Sequence, residues 1–205
     1  QGLASNAFGY DNLMVGNIHP YKGTSSGYES PKLTSFMGNL SYTFLNRYAL
    51  SLTLRADGST LVGHNNTWGF FPSTGLEWNL KEEKWLQDVK WLDHLKLQTS
   101  VGRSGNLGGI LAYYTQQTLM PSGIISYHGI PTVTPGQIRN ANPNLKWETR
   151  TSFNLGLKTG LLHNRIQLYA EYYYSKTTDM LYNYDVSVPP FAFNKLLANI
   201  GSMSN

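Results

Sequence analysis

The chain contains no cysteine, which removes disulfide scaffolds, cysteine–zinc sites and thiol catalysis together. Charge is scarce: 14% of its 205 residues are Asp, Glu, Lys or Arg, against roughly 25% in an ordinary soluble domain. No stretch approaches the 18 or so consecutive apolar residues of a transmembrane helix. The net charge of +4 is spread over 16 Lys and Arg without a basic run, which gives no case for nucleic acid as a partner. The missing charge is replaced by Ser, Thr, Asn, Gln, 20 Gly and 14 Tyr rather than by extra Leu and Ile. That composition argues against a helical bundle, a coiled coil or a disordered tail. The start at Gln1, without Met or a signal sequence, leads us to expect a processed or truncated chain.

What is present is period-two alternation in blocks of about ten residues, split by turn chemistry. Phe36, Leu40, Tyr42 and Phe44 alternate with Met37, Asn39, Ser41 and Thr43. After a break at Asn46-Arg47, Tyr48, Leu50, Leu52 and Leu54 alternate with Ala49, Ser51, Thr53 and Arg55, close enough to form a hairpin. Further runs cover Phe70 to Trp78, Leu95 to Gly102, Ser152 to Lys158 and Ile166 to Ser175, with a seventh possible at Met180 to Val186. Pro72 lacks an N–H and belongs near a strand end or bulge.

Two segments break the pattern. Lys81 to His94 carries seven charges in 14 residues, with Trp85, Val89 and Leu92 at helical spacing, and predicts a short amphipathic helix. Ser104 to Ile138 holds no charged residue, is rich in Gly and Pro, and reads as a long functional or partly mobile loop. The links at Asn46 and Gly160 to Asn164 are tight, whereas 56–67 and 104–141 are long. The helical link interrupts strict alternation and is expected on the same side as the long loops. Short turns at one end and long loops at the other are the layout of an outer-membrane barrel.

Alternation alone fits both a soluble β-sandwich and a membrane barrel, because each hides one face. The polar face bears on the choice. Its charges are confined to Arg55, Glu77, Lys96, Lys158 and Glu171, and aromatics cluster toward strand ends, as in an interfacial girdle.

Four motifs then resemble the SusC/RagA family of TonB-dependent outer-membrane transporters. Leu54-Arg55-Ala56-Asp57-Gly58-Ser59 followed by Asn65 to Ser73, including Trp68 and Pro72, resembles the family's RADGS…NNxWGxFPS signature. Leu95-Lys96-Leu97 leading to Ser100 to Asn106 is similar to its LKLRxSYGxTGN strand, with Arg103-Ser104 a departure. Asn142-Pro143-Asn144-Leu145-Lys146-Trp147-Glu148 resembles its NPxLKWE motif, and Leu161 to Asp179 its closing hairpin. The resemblance covers the chain from about Thr34 and implies a segment of a large 22-stranded barrel. Residues 1–33 are then an extracellular loop region and 34–205 a barrel segment without plug or TonB box. It further implies a location in the Gram-negative outer membrane, import of glycans or peptides, a SusD-like surface lipoprotein, and energy from TonB.

Asp57, Gly58 and Ser59 suit a turn, and Trp68 an interfacial anchor; Trp147, Asn142, Pro143 and Pro72 are taken as structural motif residues. Tyr113, Tyr114, Gln116, Gln117 and Tyr127 in the uncharged loop offer the stacking faces and neutral hydrogen-bond groups that sugar binding uses. The five His show no paired metal-ligand spacing, so neither metal nor cofactor is expected. No catalytic residue is expected. Glu77 and Glu171 could be offered as a glycosidase pair, but lumen-facing residues compensated by Arg55, Lys96 or Lys158 explain them more simply. The rival readings are a soluble carbohydrate-binding β-sandwich and, more weakly, a glycoside hydrolase.

Overall fold

A computed structural model describes residues 10–11 and 26–205. The expected loop region 1–33 therefore lies mostly outside the described residues. The architecture is antiparallel and nearly all-β: β1 (Leu33–Phe44), β2 (Tyr48–Ser59), β3 (Trp68–Asn79), β4 (Leu92–Asn106), β5 (Leu119–Tyr127), β6 (Ile130–Gln137), β7 (Glu148–Leu161), β8 (Ile166–Asp185) and β9 (Lys195–Ser204). Seven strands form one sheet in the order β1-β2-β3-β4-β7-β8-β9, and β5-β6 form a separate hairpin. The large sheet does not close, and β1 and β9 are its edges among the described residues.

Register assigns the two faces. The row Phe44, Tyr48, Trp78, Leu97, Leu157 and Ala170 runs across six strands, and the row Tyr42, Leu50, Leu76, Thr99, Leu155 and Tyr172 lies beside it. These rows make one continuous apolar face that no other element covers among the described residues: Leu40 is 59% and Tyr172 62% exposed. A sandwich would bury that face under a second sheet, and no second sheet packs there among the described residues. Stacked pairs stand at both ends of the face, Tyr48–Trp78 at 6.1 Å and Phe36–Trp68 at 5.9 Å. The opposite face carries Ser41, Ser51, Glu77, Gln98, Ser100 and Asn154 around an open groove of about 410 Å³.

Three expectations are corrected. First, Lys81 to His94 is not an amphipathic helix. Only Leu80–Glu82 makes a 3-10 turn, and turns lead on into β4 at Leu92. The Lys81 ammonium donates to the carbonyls of Leu86, Gln87 and Val89 at 3.0, 3.1 and 2.7 Å, drawing them around one cation instead of along a helix axis. Leu92 is buried while Trp85 is 66% exposed, so the helical spacing served no common packed side. Second, this link lies at the same end as the tight turns, because each antiparallel strand reverses direction. Its Trp91 carbonyl accepts from Leu162 N at 2.9 Å, and Asp93 accepts from Asn164 N at 2.9 Å.

Third, Ser104 to Ile138 is not without structure. It contains the end of β4 and the β5-β6 hairpin, whose tip residues His128 and Gly129 have φ of 51° and 79°. Left-handed backbone at both central positions is the type I′ geometry that two-residue hairpins favour. The run expected at Met180 to Val186 is, up to Asp185, the continuation of β8, which carries a bulge at Asp179 (φ 59°) that shifts the alternation. β9 was not anticipated, since Lys195-Leu196-Leu197-Ala198 shows no clean alternation. Pro72 sits inside β3 opposite Leu54, where the β3-β4 ladder, which begins at Ser73↔Gly102, has already stopped. A residue without an N–H is tolerated at such a place.

Candidate functional site

The packed core lies at the long-loop end. Val62, Phe71, Ile110, Leu145, Trp147 and Leu197 form a cluster, with Leu61, Leu107, Tyr114 and Leu181 against it. Phe71 meets Trp147 edge-on at 5.4 Å. The Phe71 ring occupies the space where a Cβ on Gly69 or Gly105 would stand, 2.4 and 2.1 Å from its tip, so those positions need glycine. Trp147 Nε1 donates to the Thr67 carbonyl at 3.3 Å. Around this core the loops are knitted by asparagines. Asn142 Nδ2 donates to Leu197 O at 2.8 Å, and its Oδ1 accepts from Asn144 N at 3.0 Å. Asn140 accepts from Ala192 N and Phe193 N and donates to Phe193 O and Lys195 O. Asn199 accepts from Lys146 N and donates to Lys146 O and Asp179 O. These three amides tie 138–147 to β9 and to the 186–194 loop, so the loop end is a built platform.

The motif residues are parts of that platform. Asp57 is 6% exposed and holds Arg55 Nε at 2.8 Å, a short ion pair that fixes the top of β2. Gly58 faces the Trp68 indole, which a Cβ would meet at 3.0 Å. Ser59 Oγ accepts from Leu61 N at 3.2 Å, turning the chain into the loop. Pro143 presents its carbonyl 1.9 Å from where a Cβ on Gly63 would stand, locking two loops together.

The loop candidates do not converge. Tyr114 is half-buried against the core and lies under the Arg139 guanidinium, 4.4 Å from the ring centroid. Tyr113 has φ of 66° and donates its hydroxyl to Tyr28 O at 3.0 Å. Tyr127 is 63% exposed at the hairpin tip, edge-on to His128. Gln117 is exposed. Gln116 alone of the five lines a hollow of about 380 Å³, together with Thr60, Val62, His64, Asn65, Thr67, Thr115, Pro143 and Asn144. None of the lining side chains carries a formal charge with His neutral. Sequence reasoning missed His64, Asn65 and Thr115. Asn65 opens the second stretch read as a motif and His64 directly precedes it, and only the packing of 60–67 against 142–147 places them beside Gln116.

On the polar face, Glu77 accepts from Lys96 Nζ at 2.7 Å and from Gln98 Nε2 at 2.5 Å. Glu171 accepts from the Tyr169 hydroxyl at 2.6 Å. Glu77, Gln98, Gly156 and Glu171 lie in one row, so the backbones of the two glutamates stand three strand spacings apart, about 14 Å. Glycosidase pairs need about 5 to 9.5 Å. At the tight-turn end, Glu83 accepts from the Tyr48 hydroxyl at 2.6 Å and Trp78 Nε1 at 3.0 Å, and lies 3.6 Å from Arg47. The Tyr48 hydrogen bond, then that of Trp78, hold its carboxyl below the ordinary value. No group of three or more His, Asp or Glu that could hold a metal occurs among the described residues.

Known proteins are similar to this chain in sequence and fold. The model of the family "TonB dependent receptor-like, beta-barrel" matches residues 2–205. TonB-dependent receptor P26 of Formosa agariphila is 34% identical across the whole chain, which covers 20% of that protein. TonB-dependent receptor SusC of Bacteroides thetaiotaomicron is 37% identical over 84% of the chain and 17% of its own length. The RagAB peptide transporter superposes with a TM-score of 0.72 at 27% identity, over 89% of this chain and 20% of that one. The chain thus spans about a fifth of the relatives it matches. An open sheet with one bare apolar face, one lightly charged polar face and a knitted loop platform is what such a slice of a barrel wall must be. The chain belongs to the TonB-dependent receptor family, as a segment of a SusC/RagA-like transmembrane β-barrel.

Proposed function

We propose that the protein containing this segment is an outer-membrane importer that captures neutral, hydroxyl-rich oligomers, glycans before peptides, at its extracellular loops. The carrying observation is the uncharged hollow at the loop end, where Thr60, Thr115, Gln116, Asn65 and Asn144 bring hydroxyls and amides together without a carboxylate or ammonium. Such groups match sugar hydroxyls, whereas peptide termini call for charged partners. Residues 1–33 would belong to the extracellular side and 34–205 to the barrel wall. A SusD-like surface lipoprotein would cover the loops, and TonB would supply energy through a plug outside these residues. The polar face would provide a wettable lumen wall, and the apolar face would meet outer-membrane lipid. RagAB, described as a peptide transporter, favours peptides as the second reading.

The test uses the full-length transporter in detergent. Titration with neutral oligosaccharides and with oligopeptides of equal size should give saturable binding for the sugars, and replacing Gln116 and Asn144 by Ala should weaken it about tenfold. Saturable binding of peptides alone, unaffected by those changes, refutes the glycan reading.

A further inference from the structure

The apolar face is interrupted by charge in one row. From β1 to β8 below the Asp179 bulge, among described residues whose register places them on that face, only Arg103 and Lys176 carry formal charge. They occupy the same row, Arg103↔Thr151↔Lys176, on β4, β7 and β8. Their backbones are two strand spacings apart, about 10 Å, with only the Thr151 hydroxyl between them. Both side chains are exposed, and neither has an ion-pair or side-chain hydrogen-bond partner among the described residues. Among the described residues whose register places them on this face, no carboxylate is present to neutralise them.

The height of the row matters as much as its charge. Thr151 lies ten residues above Leu161, the last residue of β7 at the tight-turn end, and Lys176 ten above Ile166. That is about 33 Å along a strand and, for a tilt near 40°, about 25 Å along the membrane normal. The apolar band of such barrels is about 25 Å tall, so the row sits at its upper edge, in the headgroup layer of the outer leaflet. Directly beside it, Thr151, Phe153, Tyr174, Lys176 and Thr178 line a shallow hollow of about 280 Å³ whose surface is mostly apolar. Two unpaired cations and a hydroxyl above an aromatic hollow complement an amphiphile whose anionic head is joined to acyl chains.

We infer that Arg103, Thr151 and Lys176 form a site on the outer wall of the barrel for a phosphorylated lipid of the outer leaflet. The guanidinium forks onto phosphate oxygens, the ammonium adds a second charge, and Phe153 and Tyr174 receive the adjoining apolar part. This rests on the reading that the apolar face meets lipid. It adds a ligand unrelated to the transported substrate.

The test uses the full-length transporter, extracted in detergent and incubated with phosphorylated lipid A, with the same lipid after phosphatase treatment, or with inorganic phosphate. Retained lipid is counted by native mass spectrometry. The wild type should retain the phosphorylated form in preference to the treated one, and inorganic phosphate at millimolar concentration should not displace it. The R103Q/K176Q pair should lose about 30-fold in retention, from two cations near an anionic surface. The charge-conserving R103K/K176R pair should keep most of it, which separates loss of charge from misfolding. Equal retention by wild type and R103Q/K176Q, equal retention of the treated lipid, or displacement by inorganic phosphate overturns the site. A protein that extracts without detergent overturns the membrane reading itself, an outcome distinguishable from the others.

Discussion

Gly63→Ala is the sharpest probe of the loop platform. Gly63 has φ −61° and ψ 151°, a conformation any residue adopts, so an alanine there carries no backbone penalty. Its Cβ, however, would stand 1.9 Å from the Pro143 carbonyl oxygen and 3.2 Å from that of Leu145. Both obstacles are backbone, so relief requires the 60–67 and 142–147 segments to part by more than 1 Å. That parting breaks the Gly63 N–H bond to Leu145 O, 2.7 Å long, and the bonds from Asn66 Nδ2 to Asn144 O and Leu145 O at 3.1 and 3.4 Å. Overpacking strain of about 1–3 kcal/mol plus about 1 kcal/mol for the lost backbone bond gives about 2–4 kcal/mol. The open form of the platform should gain population by roughly 30- to 1,000-fold. Hydrogen exchange followed by mass spectrometry on the full-length protein reads this directly. Peptides over 60–67 and 142–147 should exchange faster, while those over β1 and the lower half of β2 should not change. Gly38→Ala is the matched control, since a Cβ there meets nothing within 4 Å. Unchanged exchange at both loop segments in a folded Gly63→Ala protein would refute the account of the platform.

Phe71→Ala and Trp147→Ala should each cost about 3–5 kcal/mol of local stability, and the double variant less than their sum, because each empties the other's packing; protease sensitivity of the 107–147 segment measures it. Glu83 is held below the ordinary carboxyl value of 4.5, so the anchoring of the 80–91 link is intact above that value and is lost as pH falls through the lower folded one. Protection of amides in 80–91, corrected for the intrinsic pH dependence of exchange, should therefore fall on acidification below about pH 4.5 in the wild type and stay constant there in Glu83→Gln. The 205-residue segment alone, with two free sheet edges and an uncovered apolar face, should aggregate in detergent-free buffer. A sharp cooperative melt by differential scanning calorimetry would contradict that.

The strands were readable because each has one face toward an apolar medium and one toward water, so the alternation at Phe36–Phe44, Tyr48–Leu54 and Ile166–Tyr174 is imposed residue by residue. The errors fell where that constraint lapses. Lys81 to His94 lies outside the apolar band, and there a single ammonium coordinating three carbonyls outweighed helical spacing. At Asp179 a bulge shifts the alternation within one strand, so its two halves looked separate. β5 and β6 stand apart from the two-faced sheet, and in β9 the adjacent Leu196 and Leu197 are both buried, so none of the three alternates strictly.

The candidate site shows the same division. Composition and alternation determined an all-β chain with a lightly charged wall, and the motif order pointed to the family. Which polar groups meet was decided only in three dimensions. Gln116 shares a hollow with His64, Asn65 and Asn144 because Gly63, Asn142 and Trp147 clamp loops about 80 residues apart in sequence, as in the bond from Trp147 Nε1 to Thr67 O. Tyr114 and Gln116 look alike as loop residues, yet one is packed under Arg139 and the other faces the hollow. Strand alternation is a local consequence of solvent contrast, whereas a loop-built site depends on contacts between distant segments, and no local pattern records those.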